Sequence, residues 1–489
     1  MDLLKSIFHT FNPDVKAYPS AKAFDTAAKS YAASVTTNLP PAARAVILQQ
    51  PLEAIQNVQL VDSSTNTIGH LAIIDILLRG PTPAATPREL ILDEALRFLL
   101  RFDPVQIRYV GPLFKSLLDD LSNFYTPKVA VELLSNAILR IDPSGSVFTS
   151  THLNMAKLAY DANCIEPALK VLDADILYYV RPSASTRLEL NDTALQPQNY
   201  IPAAGLTDTV KSTSVLEYHF LQAMAYISRR DWPKAQLALE RVIGHPAKDK
   251  GVSKIMAECY KKWLLVGVLR DGKPPNLPSY ITSSTRSIYN GLSEAYNNIA
   301  SLFPTDGAAA LKEEFEKRRA VWEEDQNLSL LEEVLVSYQK WQVINLRRIY
   351  HQVSISQIRE TTLSAITAET LKDDGEVLML ISEMIESGML KGELQIGSTA
   401  GESYLTFHEE YNSMTEAEFA AEVARCHASI EALTKQYRAT NERLGTTKEY
   451  ARHVLREQKR MDKDTADAGV GFDMNVEDED LMTGVLGSV

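Results

Sequence analysis

Apolar residues along this chain recur three and four apart, the spacing of helical faces rather than of strands. Ile91, Ala95, Phe98 and Phe102 fall on one face, and Leu113, Leu117, Leu118 and Leu121 on the next. Ala130, Leu134, Ile138 and Ile141 follow a first-turn Pro127 with the same spacing. Residues 71–78 are an apolar run closed by Gly80-Pro81. That predicts a buried helix, since a bilayer span needs about 18 to 20 apolar residues. The fold class that follows is all-α.

Two stretches read as one repeated unit. Residues 152–162 form a helix, Asn163-Cys164 a turn, and Pro167-Ala168 start a return helix carrying Val171 and Leu172. Residues 214–228 form a helix opened by a capping box from Ser214 to Glu217. Arg229, Arg230, Asp231 and Trp232 make the turn, and Pro233 begins the return through Leu239 and Val242. Ala223, Ala235 and Ala238 let those two helices approach closely. This is the helical-hairpin unit of tetratricopeptide-like repeats, in a degenerate array because its period is irregular; an irregular bundle reads almost the same. Residues 181–209, with Pro182, Pro197, Pro202 and many Ser, Thr and Asn, read as a surface insertion. Pro274-Pro275 and Pro278 mark a loop before helices at 287–303 and 308–327.

The pattern then changes. Ser329 to Glu332 is a second capping box, opening a helix through Tyr350. A shorter helix begins at Val353. Asp373 and Asp374 open a third, with Val377, Leu380, Ile381, Met384 and Ile385 on one face and Gly388 as its left-handed stop. From Leu390 the period becomes two. Leu390, Leu394 and Ile396 alternate with Lys391, Glu393 and Gln395, and the chain returns through Leu405 and Phe407. Three helices and a hairpin make a winged helix. Its edge strand would offer free N–H and C=O groups to a neighbour, which makes Leu390, Leu394, Gln395, Ile396, Leu405 and Phe407 candidate interface residues.

Thr415 to Glu418 is a third capping box, ahead of a long helix bearing Phe419, Val423, Cys426, Ile430, Leu433 and Tyr437. The four–three spacing is a heptad seam, with Glu431, Lys435 and Arg438 on the other faces. A lone helix cannot bury such a seam. Partner helices, or a fold back onto the chain's own domain, would cover it. Gly445, Thr446 and Thr447 break the helix before a second at 448–461. Asp473 and the run Glu477 to Asp480 precede Leu481-Met482 and Val485-Leu486 in a charged tail, read as disordered. The expected divisions are helical repeats at 1–210, a helical part at 211–328 leading to the winged helix at 329–409, a partner-binding helix at 414–464, and the acidic tail at 465–489.

Composition narrows the function. Hydrophobic residues make up 45% of the 489, enough for several cores, and Gly and Pro, 21 and 22, are few for this length. The 3 cysteines, Cys164, Cys259 and Cys426, lie far apart and imply no disulfide framework. The first residues lack a signal-peptide run, so an intracellular protein is expected. The net charge of −13 argues against a nucleic-acid binder. So does the third winged-helix segment, whose Asp373, Asp374, Glu376, Glu383 and Glu386 would be repelled by phosphates, with Lys372 alone beside them. Catalytic patterns are near misses. Gly267 to Lys273 matches most of a phosphate-binding loop, but Pro274 stands where a magnesium-binding hydroxyl is needed, and the preceding residues are helical. No zinc-protease or nucleophile-elbow motif occurs. Cys426 and His427 are adjacent and so point about 100° apart on a helix. No catalytic, cofactor or metal residue is expected.

A helical array fused to a winged helix resembles the PCI-domain family, shared by the proteasome lid, the COP-nine signalosome and translation initiation factor three. Particular stretches are most similar to its signalosome members. They are His245-Pro246-Ala247, Ile255-Met256, Tyr260 through Val266, Leu277-Pro278 with Tyr280, and Leu292 through Tyr296. Cys164, Pro167, Ala168, Leu169, Leu172 and Asp173 match upstream. The likeness spans about residues 90–410, from which the 181–209 insertion and the 361–371 connection depart. The resemblance implies a scaffold subunit of the complex that removes the modifier NEDD from cullins, the isopeptidase zinc site belonging to another subunit. It implies PCI and MPN-type partner subunits, with subunits one and eight as neighbours, and indirect contact with neddylated cullin-RING ligases. It also implies a place in cytoplasm and nucleus, and no cofactor, direct nucleic-acid or membrane partner. A proteasome-lid or initiation-factor subunit is the alternative.

Overall fold

The computed structural model describes residues 10–81, 88–180, 188–246, 251–305, 307–397, 403–408 and 415–466. The chain forms two units, Met1–Phe407 and His408–Val489. Helices dominate both, as the periodicity requires.

In the first unit one continuous core runs from Phe11 to Ala365, and it does not break near residue 210. The Thr67–Arg79 helix shows why the early segments hold together. It is apolar all round, so it needs cover on every side. Ile68, Leu71 and Ile74 join the main core, while Ile73, Ile76 and Leu77 join a smaller cluster with Ile47, Ile55 and Val58. Further along, the Ser212–Ser228 and Trp232–Ile243 helices pack together with Ala223, Ala235 and Ala238 buried at their contact. Arg230 takes a positive φ of 59° in the turn, and the Asp231 side chain caps the second helix by accepting from the Lys234 N–H.

Several expectations need correction. The stretch near 181–209 is not a surface insertion where it is described. Leu190, Tyr200, Ile201 and Leu206 are buried in the main core. Its backbone is hooked inward: Asp25 accepts from the Leu190 N–H at 3.0 Å, and Arg108 donates to the Leu190 and Asp192 carbonyls at 3.0 and 2.8 Å. The Arg108 guanidinium also lies 3.8 Å from the centre of the Tyr200 ring. Short apolar anchors without a period leave no signal in a polar stretch; residues 181–187 lie outside the described residues. The capping boxes at Ser214 and Ser329 do not form. Those helices start earlier, at Ser212 and Leu328, capped by Lys211 and Asn327 without a side-chain bond. Asn327 is occupied otherwise. Its amide donates to the Tyr296 hydroxyl at 2.9 Å, and its oxygen accepts from the Lys262 ammonium at 2.6 Å. Burial lowers the Lys262 pKa. The expected helix at 287–303 is two, Ser283–Leu292 and Glu294–Leu302, broken at buried Ser293.

The Leu328–Leu346 helix belongs to two cores. Leu330, Leu331, Val334, Leu335 and Tyr338 pack in the main one, while Val343 and Ile344 pack in another with Ile355, Ile358, Val377, Ile381, Met384, Leu405 and Phe407. That second core closes a small domain. Two short strands of the array, β1 (Val147–Phe148) and β2 (Tyr178–Tyr179), pair in parallel, whereas in the small domain β3 (Gln352–Ser354), β4 (Gly392–Gln395) and β5 (Tyr404–Phe407) form an antiparallel sheet in the order β3-β5-β4, with Val353 opposite Leu405 and Gly392 opposite Phe407. Val353 therefore lies in a strand rather than opening the second helix, which runs Ile355–Thr361 with Ser354 as its cap. The first helix stops at Leu346 rather than Tyr350. Asp373 caps the Asp374–Glu386 helix, and Gly388 follows it at φ 72°. Strand β4 ends at Gln395, opposite Tyr404, and Ile396 beyond it stands exposed.

Gly272, at φ 66°, ends the Lys254–Asp271 helix against Trp341. A Cβ there would come within 2.5 Å of the Trp341 ring, whose indole N–H donates to the Leu269 carbonyl at 3.2 Å. Gly272→Ala combines left-handed strain of about 1 to 2 kcal/mol with that clash. It should lower the unfolding free energy measured in urea by at least that much, and an unchanged free energy would refute the contact.

Three buried imidazoles, His70, His152 and His219, are held neutral by burial, each pKa falling to about 4. For His219 the proton has one place. The Leu172 carbonyl can only accept from the Gln222 amide, so Gln222 offers its oxygen to Nδ1–H, and Nε2 accepts from the Tyr179 hydroxyl at 2.9 Å. An unfolded chain binds these protons below pH about 6.5, while the native chain refuses them until pH about 4. Stability should therefore be flat above pH 7 and fall as pH drops from 6.5 towards 4. Each histidine would contribute up to about 1.4 kcal/mol per pH unit. Urea unfolding at half-unit pH steps tests this, and His219→Gln should flatten the slope by one proton.

Candidate assembly interface

The small sheet has two outer strands, β3 and, in the hairpin, β4. Strand β5 is paired on both sides, so β4 is an outer strand of the sheet. Its residues alternate, with Gly392 and Leu394 half-buried and Glu393 and Gln395 exposed. The close approach of β4 to β5 depends on Gly392, where a Cβ would lie 2.8 Å from the Thr406 carbonyl oxygen. Of the six wing residues singled out from sequence, Leu390, Leu405 and Phe407 are spent in the small domain's own core. Leu394 packs at the edge of that core, and Gln395 and Ile396 face solvent, Ile396 at 73% exposure. Only the last two present their side chains outward.

Acidic groups of the Asp374–Glu386 helix are partly paired within the chain. Arg359 meets Asp374 at 3.1 Å and Lys340 meets Glu383 at 2.6 Å. The Asp373 carboxylate accepts from the Glu376 N–H, and the Glu376 carboxylate accepts from the Lys372 N–H. Arg359 and Lys340 are thereby paired, and the helix itself carries no Lys or Arg to meet a phosphate backbone.

The second unit carries the long helix, Glu416–Gly445. Its capping box forms: the Thr415 hydroxyl accepts from the Glu418 N–H, and Glu418 accepts from the Thr415 N–H. That backbone bond, with the Thr415 hydroxyl, holds the Glu418 carboxyl below its ordinary range. Phe419, Val423, Ile430, Leu433 and Tyr437 are between 51% and 71% exposed, and Cys426 is exposed too. The seam runs one heptad beyond Tyr437: Leu444, seven residues further on, is also exposed and continues it. Gly445 ends the helix as expected, and the Thr447 hydroxyl accepts from the Tyr450 N–H to start the Lys448–Ala466 helix. The acidic tail lies outside the described residues.

Among the described residues, no group of three His, Cys, Asp or Glu could hold a metal ion, and no helix is long and apolar enough to cross a membrane. Gly267 to Asp271, the near-match to a phosphate loop, lies within a helix. Burial pushes the Cys259 thiol up to about 12, far from a reactive thiolate.

Comparison with known proteins supplies the family. Residues 41–285 match the family described as COP9 signalosome complex subunit 3, N-terminal helical repeats. COP9 signalosome complex subunit 3 of Neurospora crassa is 36% identical over 440 residues, covering 87% of this chain and 88% of that protein. The Emericella nidulans protein of the same name is 26% identical over 322 residues, covering 63% and 64%.

Thr415→Ala removes the cap of the long helix, a loss of about 1 kcal/mol. Hydrogen exchange at residues 416–420 should quicken roughly 5-fold in the full chain, while the first unit's amides keep their rates.

Proposed function

Because the chain belongs to the COP9 signalosome subunit 3 family, we propose that it is a non-catalytic scaffold subunit of the complex that removes NEDD from cullins. The observation that carries this reading is the exposed seam of the Glu416–Gly445 helix. Each large apolar side chain gains about 1.5 to 3 kcal/mol on full burial. Six such residues left half-exposed therefore forgo several kcal/mol, comparable with a typical domain stability of about 5 to 15 kcal/mol. Helices of partner subunits, packed knob into hole along the heptad positions, recover it.

The wing is the second contact. Strand β4 offers backbone groups to a neighbouring winged helix, with Gln395 and Ile396 at its exposed end. The acidic third helix supports protein partners over nucleic acid. PCI and MPN-type subunits are the proposed partners, subunits one and eight the neighbours, and neddylated cullin-RING ligases the indirect clients, in cytoplasm and nucleus. The isopeptidase zinc belongs, in this reading, to another subunit.

Replacing Val423, Ile430 and Leu433 together with Ser keeps the helix length and removes the middle of the seam. The variant should keep the protease-protected core to residue 407 yet co-purify with partner subunits at least 10-fold less, a change of about 1.4 kcal/mol. Normal incorporation would reject the seam as the assembly surface.

A further inference from the structure

The Ser150–Asp161 helix opens with an uncommon capping box. In the usual box a glutamate or glutamine reaches back to the capping residue's N–H. Here His152 does so, its Nδ1 accepting from the Thr149 N–H at 3.2 Å. A ring nitrogen that accepts from a backbone N–H carries no proton, so in this neutral imidazole the proton stands on Nε2. That N–H is buried and meets no hydrogen-bond partner among the described residues. His152 lines a cavity with Ile138, Asp142, Val147, Ile201 and Leu206. The centre of a water molecule can move within only about 10 Å³ of it, room for one molecule. Asp142 supplies a second polar wall. Its Oδ1 accepts from the Ser144 N–H and hydroxyl, and its Oδ2 accepts from the Val147 N–H at 3.0 Å. An ionised carboxylate has about four acceptor positions, so Oδ2 retains one.

We infer that this cavity is the site of one buried water molecule, which accepts from the His152 Nε2–H and donates to the Asp142 Oδ2. The two polar walls select the occupant. A cation would face the imidazole N–H and an anion would face the carboxylate, so the site takes a neutral molecule that both donates and accepts. The space admits nothing larger than water. A buried N–H left without an acceptor forfeits its hydration with no return, which is what the water restores. The bridge has a structural consequence. Asp142 is the residue that ends the Pro127–Ile141 helix, and His152 stands in the first turn of the Ser150–Asp161 helix. The water therefore ties the end of one helix of the array to the start of the next. Ile201 and Leu206, from the stretch hooked inward by Asp25 and Arg108, complete the wall. The site does not depend on which complex the chain joins, so its failure leaves the scaffold reading untouched.

A high-resolution crystal structure of the full chain should show one water about 2.7 to 3.2 Å from the His152 Nε2 and within the same reach of the Asp142 Oδ2. Nitrogen NMR of the histidine-labelled chain should find the His152 proton on Nε2. Val147→Ile adds one methyl group to the cavity wall. It should expel the water, orphan the N–H and raise the unfolding equilibrium constant at least about 5-fold. In a His152→Leu background no N–H remains to be orphaned, and the same methyl group should not raise that constant. Simple overpacking would instead destabilise both backgrounds alike. Equal losses in the two backgrounds, a proton on Nδ1, or no water density beside Nε2 would each overturn the proposal.

Discussion

The rest of the first unit's architecture depends on one helix serving two cores. The Leu328–Leu346 helix gives its first three turns to the long helical array and its last to the small mixed domain. Trp341 sits between, pressed on Gly272 and bonded to the Leu269 carbonyl. A shared helix transmits orientation because a packed interior cannot be deformed continuously. The wing is thereby held in a fixed relation to the end of the array. A larger residue at position 272 would act on the wing through this contact, though it lies outside the wing.

Buried polar groups give the array its register. An apolar core of Leu, Ile and Val tolerates alternative packings, but a hydrogen bond in low dielectric does not tolerate a lost partner. Tyr179, His219, Gln222 and the Leu172 carbonyl form one such chain, with each donor and acceptor fixed. Lys262, Asn327, Tyr296 and Asp325 form another where three helices meet. The same desolvation that makes these contacts selective keeps the imidazoles neutral. Specificity of packing and sensitivity to acid therefore share one cause.

The two candidate contacts differ in kind. Apart from exposed Ile396, the apolar residues of the β4–β5 hairpin are satisfied within the chain, and what it has to offer is mostly backbone at the edge of β4. The long helix is the opposite. Its backbone is satisfied by its own hydrogen bonds, and its apolar side chains are not. One surface supplies directional pairing and the other non-directional burial, a combination suited to a subunit held in place by several neighbours.

Periodicity alone determined the all-α class, the paired helices with small residues at their crossing, the cap at Asp373, the stop at Gly388 and the capping box at Thr415. Each is a local pattern, readable because one turn of helix or one cap is decided by neighbours in sequence. The heptad seam was legible for the same reason, and Leu444 could have been found by counting one repeat further. Tertiary structure decided the rest. Ser214 and Ser329 carry the letters of a capping box, yet Asn327 is drawn into a contact with Lys262 and the helix begins before Ser329. Leu190, Tyr200 and Ile201 are core in a stretch that reads as loop, because their partners Asp25 and Arg108 lie far away in sequence. Leu390, Leu405 and Phe407 alternate as interface residues would, and only the closed sheet shows which side of the strand faces inward. A pattern fixes which residues share a face; what that face meets is settled by contacts between residues far apart along the chain.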